Sequence, residues 1–95
     1  RFIPDLPLLI FVKIKQKIMP TVLLIFGLRF YFYADEHEPI HIHVENSDGR
    51  AKIDLVPEVC LVENRGIKPK EIRRALDLAI EYREEFIQKW NEFHS

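Results

Sequence analysis

The sequence has little that would staple, anchor or export it. One cysteine, Cys60, stands among 95 residues, so no internal disulfide can form, and the chain fits a reducing compartment. No apolar run approaches the roughly 20 residues that span a bilayer; the longest near the start, residues 6–12, stops at Lys13. That segment also lacks the basic start and small-residue cleavage site of a secretory signal, and the expected location is the cytoplasm. Neither sign of charge dominates: 14 Lys and Arg stand against 15 Asp and Glu, a formal net charge of −1. This argues against a protein that coats nucleic acid by charge alone, while leaving room for a local basic patch. A glycine-rich phosphate cradle is also missing.

What is present is apolar and aromatic. The apolar fraction is 47% and the aromatic fraction 12%, enough for one continuous core at a length too small for two. Residues 1–18, with Pro4, Pro7, an apolar run and the lysines Lys13, Lys15 and Lys17, read as an extension, either an upstream start, a leader or added sequence. Residues 19–95 read as a single domain. Cys60 lies within Val59-Cys60-Leu61-Val62 and is expected to be a buried structural thiol.

Periodicity sets out the elements. Residues 21–26 and 28–33 are β-rich runs with Phe26-Gly27 between them, a hairpin signal. In the second run Leu28, Phe30 and Phe32 fall on one face, and Arg29, Tyr31 and Tyr33 on the other. A third strand over residues 40–45 alternates Ile42 and Val44 against His41, His43 and Glu45. Asn46-Ser47-Asp48-Gly49 is a turn with glycine where positive φ is cheapest. A fourth strand over residues 50–55 sets Ala51, Ile53 and Leu55 opposite Arg50, Lys52 and Asp54. Residues 56–65 suit a short edge strand better than a helix, and Gly66 ends it.

Residues 69–93 predict one long helix: Pro69 suits the first turn, Glu71 the positive dipole end, and Ile72, Leu76, Ala79, Phe86, Trp90 and Phe93 recur at helical spacing. The fold class is therefore α+β, a small, mostly antiparallel sheet of about four strands with a long C-terminal helix packed on one face. The other face, with Arg29, Tyr31, Tyr33, His41, His43, Glu45, Arg50, Lys52 and Asp54, is where function is expected.

Several of these residues form a recognisable set. Met19-Pro20-Thr21-Val22, Phe30-Tyr31-Phe32-Tyr33, His37-Glu38-Pro39-Ile40-His41-Ile42-His43-Val44, Asn64-Arg65-Gly66 and Lys89-Trp90-Asn91-Glu92-Phe93 together resemble the bacterial "domain of unknown function 4160" family. Two positions depart from its pattern: Ile40 stands where a second proline is usual, and Phe26-Gly27 where Asn-Gly is favoured at the hairpin tip. The resemblance implies no activity. It implies a small protein often encoded beside another short domain, a layout that suggests a toxin–antitoxin-like pair.

The histidines carry the chemistry. On a strand, His41 and His43 project from the same face roughly 6.5–7 Å apart at Cα, and His37 or Asp35 from the preceding loop could complete a three-ligand site for zinc or a similar divalent metal. Glu36, Glu38 or Glu45 could orient a ligand or act as base. Without metal, the histidines would hydrogen-bond Glu45, Asp54 or a tyrosine. The His-Ile-His-Val run also invites comparison with histidine-triad nucleotide hydrolases, but the third alternating position is Glu45, which removes that reading. A metal-free RNA-cleaving site would use His41, His43, Tyr31 and Tyr33 with Arg29 and Lys52. The least demanding expectation is an interaction module that contacts a neighbouring small protein, or a second copy of the chain, through Arg29, Tyr31, Tyr33 and Lys52.

Overall fold

A computed structural model describes residues 21–33, 36–37 and 39–94. The expected extension over residues 1–18, its lysines, Asp35 and Glu38 lie outside the described residues. Five antiparallel strands run in sequence order across one sheet: β1 (Thr21–Ile25), β2 (Leu28–Tyr31), β3 (His41–Glu45), β4 (Arg50–Asp54) and β5 (Cys60–Arg65). The strand count exceeds the expected four because the ambiguous segment after Pro57 pairs fully with β4.

The turn between β1 and β2 has two residues, with Ile25 opposite Leu28. Phe26 has φ 55° and Gly27 φ 75°, the pair of positive values that a type I′ hairpin requires. Phenylalanine pays a steric cost there, and the Arg74 guanidinium lies 4.7 Å from its ring centroid. The β3–β4 turn differs from expectation. Asn46 Oδ1 accepts the backbone N–H groups of Asp48 and Gly49, and Gly49 is not at positive φ. Its glycine is required by crowding: a Cβ there would stand 2.0 Å from the Arg65 carbonyl oxygen. Gly66, at φ 100°, is the residue that needs left-handed backbone.

The helical segment is broken. It consists of α1 (Pro69–Glu81) and α2 (Arg83–His94), separated by Tyr82 at φ −104°, ψ 18°. The expected single helix is corrected here. The break falls where Arg83 reaches back to the sheet, its guanidinium donating to the Leu55 carbonyl at 2.7 Å and the Pro57 carbonyl at 3.3 Å. Asn64 fixes the preceding turn by donating to the Ile67 carbonyl and accepting the Ile67 N–H.

Leu28, Phe30, Phe32, Ile42, Val44, Ile53 and Leu55 form the sheet side of the core, as their alternation predicts, and Ile72, Ala75, Leu78, Ala79, Phe86 and Trp90 cover it from the helices. Leu76 is only partly buried against this core, and Phe93 is exposed while its ring meets Phe32 edge-on. Cys60 is exposed, contrary to expectation. It pairs with Asp54 in the ladder, and so belongs to the polar face of an edge strand. Among the described residues, no helix is long and apolar enough to cross a membrane.

Candidate functional site

Strand register arranges the polar face in rows. Tyr31 pairs with His43, His43 with Lys52, and Lys52 with Glu63. The neighbouring row runs Arg29, Glu45, Arg50, Arg65. His41, at the start of β3, stands opposite Asp54.

These rows are not all open to solvent. Tyr31 is only 1% exposed. His43 stacks on it with centroids 5.4 Å apart, Tyr33 meets it edge-on at 5.7 Å, and the Arg29 guanidinium covers it at 4.5 Å. Arg29 is itself held by Thr21 and Glu45. Burial, reinforced by Tyr33 and Glu45, pushes the Tyr31 hydroxyl up to about 12. Of the expected contact residues, Tyr33 and Lys52 are half-buried beside a pocket, and Arg29 is engaged within the sheet.

Among the described residues, Glu36, His41 and His43 form a compact group of potential metal ligands. One ligand-capable atom from each lies within 4.8 Å of the others. His43 Nε2 is 2.8 Å and 3.0 Å from the two Glu36 carboxylate oxygens. His41 Nδ1 donates to the Pro39 carbonyl at 2.7 Å. A carbonyl only accepts, so Nδ1 carries a proton and Nε2 is the ring nitrogen turned toward Glu36. That Nε2 is buried and has no hydrogen-bond partner, although Glu36 Oε1 is 3.0 Å away; the approach lacks hydrogen-bond geometry. The His41 ring packs against Trp90, with centroids 5.1 Å apart.

Burial would raise the Glu36 carboxyl, but His41, His43 and the Tyr33 backbone N–H outweigh it and hold the carboxyl below its ordinary value. Burial likewise pushes the His43 imidazole down, more than the Glu36 carboxylate lifts it. At neutral pH the cluster thus presents a carboxylate beside a neutral His43.

His37 is exposed and is not in the cluster. The sequence pointed to Glu36 only as an orienting group or base, one of several acidic residues in a loop without periodicity. The family model described as Domain of unknown function (DUF4160) matches residues 27–91. The chain belongs to this family. The match takes in Glu36, both strand histidines and Trp90, so the whole cluster lies inside the DUF4160 domain. Neither a curated protein nor a solved structure matches the chain.

Proposed function

We propose that this DUF4160 domain binds one divalent transition metal, zinc by ligand preference, through Glu36, His41 and His43. The observation that carries the reading is the buried His41 Nε2, which has no hydrogen-bond partner and stands 3.0 Å from a Glu36 oxygen, in a group whose three ligand atoms lie within 4.8 Å of one another. A buried imidazole nitrogen left without a hydrogen bond beside a carboxylate is an arrangement that a bound cation would satisfy. The second ring nitrogen is tied to a backbone carbonyl, the outer-shell bond that metal-ligating histidines usually make. Two imidazoles with one carboxylate suit zinc or iron(II) and leave a coordination position for water or substrate. Metal bound there would activate water or polarise a substrate oxygen, with His41 and His43 at the centre of the chemistry. A metal-free RNA-cleaving site would ask Tyr31 to move protons from a buried hydroxyl held near 12, which weighs against it.

Titration of the tag-free protein with zinc, and with cobalt(II) for its visible absorption, tests the proposal. One equivalent should bind, the His41→Ala/His43→Ala variant should lose it, and His37→Ala should keep it. No binding, or equal binding by the double variant, overturns it.

We further propose that the domain works as one member of a cytoplasmic, toxin–antitoxin-like pair, contacting a neighbouring small protein or a second copy of itself. Supporting this is the outer strand β1, which among the described residues pairs only with β2 and exposes Leu24 at 68% and, in the turn that follows it, Phe26 at 60%. An edge strand of this kind can accept a strand from another chain. Co-expression with the product of the adjacent gene should give a stable complex that Leu24→Lys weakens; separate elution of the two proteins as monomers counts against the pair.

A further inference from the structure

A second feature of the polar face lies beside the proposed metal site. Arg50, Lys52, Arg65 and Glu63 from β4 and β5, with Tyr33 and His43, line an open-mouthed cavity of about 290 Å³. This is close to the small end of ligand pockets, roughly 300 Å³. His43 belongs both to this lining and to the Glu36–His41–His43 cluster, so a ligand seated here abuts the metal position.

The lining of this pocket is net positive, with Arg50, Lys52 and Arg65 against Glu63. Arg50 and Arg65 are direct partners across β4 and β5, and like charges opposite each other destabilise a ladder. Glu63 pairs with Arg65. Arg50 faces Glu45 on its other side and Lys52 faces Glu63, but among the described residues neither forms an ion pair, and the lining keeps an excess of cations although the chain's net charge is −1. Arginine provides a planar fork that matches phosphate oxygens, and lysine a point charge. Tyr33, on the same wall, offers an aromatic surface on which a base can stack.

We infer that this pocket binds a phosphate ester carrying a nucleobase, with Arg50 and Lys52 on the phosphate and Tyr33 against the base. The assignment of this ligand as the substrate of the site rests on the metal reading; the anion site itself does not. Free nucleotides and single-stranded RNA share this chemistry, and size separates them as sources.

The test uses the full, tag-free chain with uridine monophosphate and a short fluorescein-labelled oligouridylate, first in EDTA and then with zinc. Wild type should bind at least one of the two. Binding of the monophosphate identifies a nucleotide site, and binding of the oligomer alone a strand site. Arg50→Gln/Lys52→Gln should weaken binding at least tenfold, make the log–log salt dependence shallower by about 1.4, and leave zinc binding intact. If that variant does not fold, Lys52→Glu alone should give the same loss.

Glu36→Ala/His41→Ala should lose zinc and still bind the nucleotide probe in EDTA. The pocket assignment is overturned if neither probe binds, if the Arg50/Lys52 variant binds as wild type does, or if polyglutamate competes as well as the oligomer. Nucleotide binding by a wild type that takes up no zinc would overturn the metal reading and leave the anion site standing.

Discussion

The Pro39 carbonyl accepts a hydrogen bond from His41 Nδ1 at 2.7 Å, and that bond decides what the other side of the ring can do. It places a proton on Nδ1 and turns the buried Nε2 toward the Glu36 carboxylate, 3.0 Å away. A two-residue separation along the chain thus presets the orientation of a ring in a site assembled from a loop and a strand.

Glu36→Gln separates metal binding from fold stability. The amide keeps the shape of the carboxyl and removes its charge. The melting temperature in EDTA should fall modestly at neutral pH, because the lowered Glu36 pKa means that the ionised carboxyl stabilises the fold. Metal affinity should fall at least about 100-fold, because a charged ligand is lost while the site's shape is kept. A variant that loses most of its stability in EDTA together with its metal would show that Glu36 serves mainly as a structural partner of the histidines.

The metal-free protein should lose stability at both ends of the pH scale. The His43 pKa is lowered from 6.5 and the Glu36 pKa from 4.5. For each, the unfolded chain binds the proton more readily, so the stabilisation is present above the unfolded value and is lost as pH falls through the folded one. Decline should therefore begin below about pH 6.5 and steepen below about 4.5. Tyr31 acts in the opposite sense: its pKa is raised from 10.0 to about 12, so its contribution holds below pH 10 and disappears as pH climbs toward 12. Urea midpoints across pH, together with ultraviolet phenolate titration, check this. One of the three tyrosines should titrate late, and Tyr31→Phe should abolish that late step.

Phe26→Asn should stabilise the domain by roughly 0.5–1 kcal/mol. Asparagine tolerates the left-handed backbone that costs phenylalanine about 1–2 kcal/mol. Against this stands the loss of the Arg74 contact with the ring, worth about 0.5–1 kcal/mol at an exposed site. Thermal melts of Phe26→Asn in wild-type and Arg74→Ala backgrounds separate the two terms, and a larger gain in the second background is expected.

The core was legible because each inner strand has one buried face. Leu28, Phe30, Ile42, Val44 and Ile53 announce themselves by period two, and α1 and α2 by their apolar spacing. Period two also put Tyr31 on the polar face. It could not show that Arg29, Tyr33 and His43 close over that tyrosine sideways, because this depends on side-chain packing across strands. Cys60 was misread for a related reason. Its neighbours are apolar, but an irregularity in the β4–β5 pairing, where Lys52 faces Glu63 and Ile53 faces Leu61, exposes Val62 and sets Cys60 beside Asp54. The histidine pair was visible as a spacing, and Glu36 was not, since a loop imposes no periodicity that could single it out. The interruption at Tyr82 stands beside Arg83, whose bonds to the Leu55 and Pro57 carbonyls reach across 28 and 26 residues and are encoded by no local pattern.

Gly49→Ala should be among the most damaging small substitutions, and its effects should be uneven. The added Cβ would lie 2.0 Å from the Arg65 carbonyl oxygen and 2.8 Å from the Gly66 Cα. Both are backbone atoms, so relief requires the β3–β4 turn and the end of β5 to move apart. A loss of more than about 2 kcal/mol is expected, in the range of steric strain at a tightly packed position. The displaced segments carry Arg50 and Arg65, whereas Glu36, His41 and the Pro39 carbonyl lie away from the turn. In a background stabilised by Phe26→Asn, Gly49→Ala should therefore weaken nucleotide-probe binding while zinc affinity changes less than threefold. Equal losses of both would mean that the two sites move as one rigid unit, with strain at the turn carried along β3 through His43.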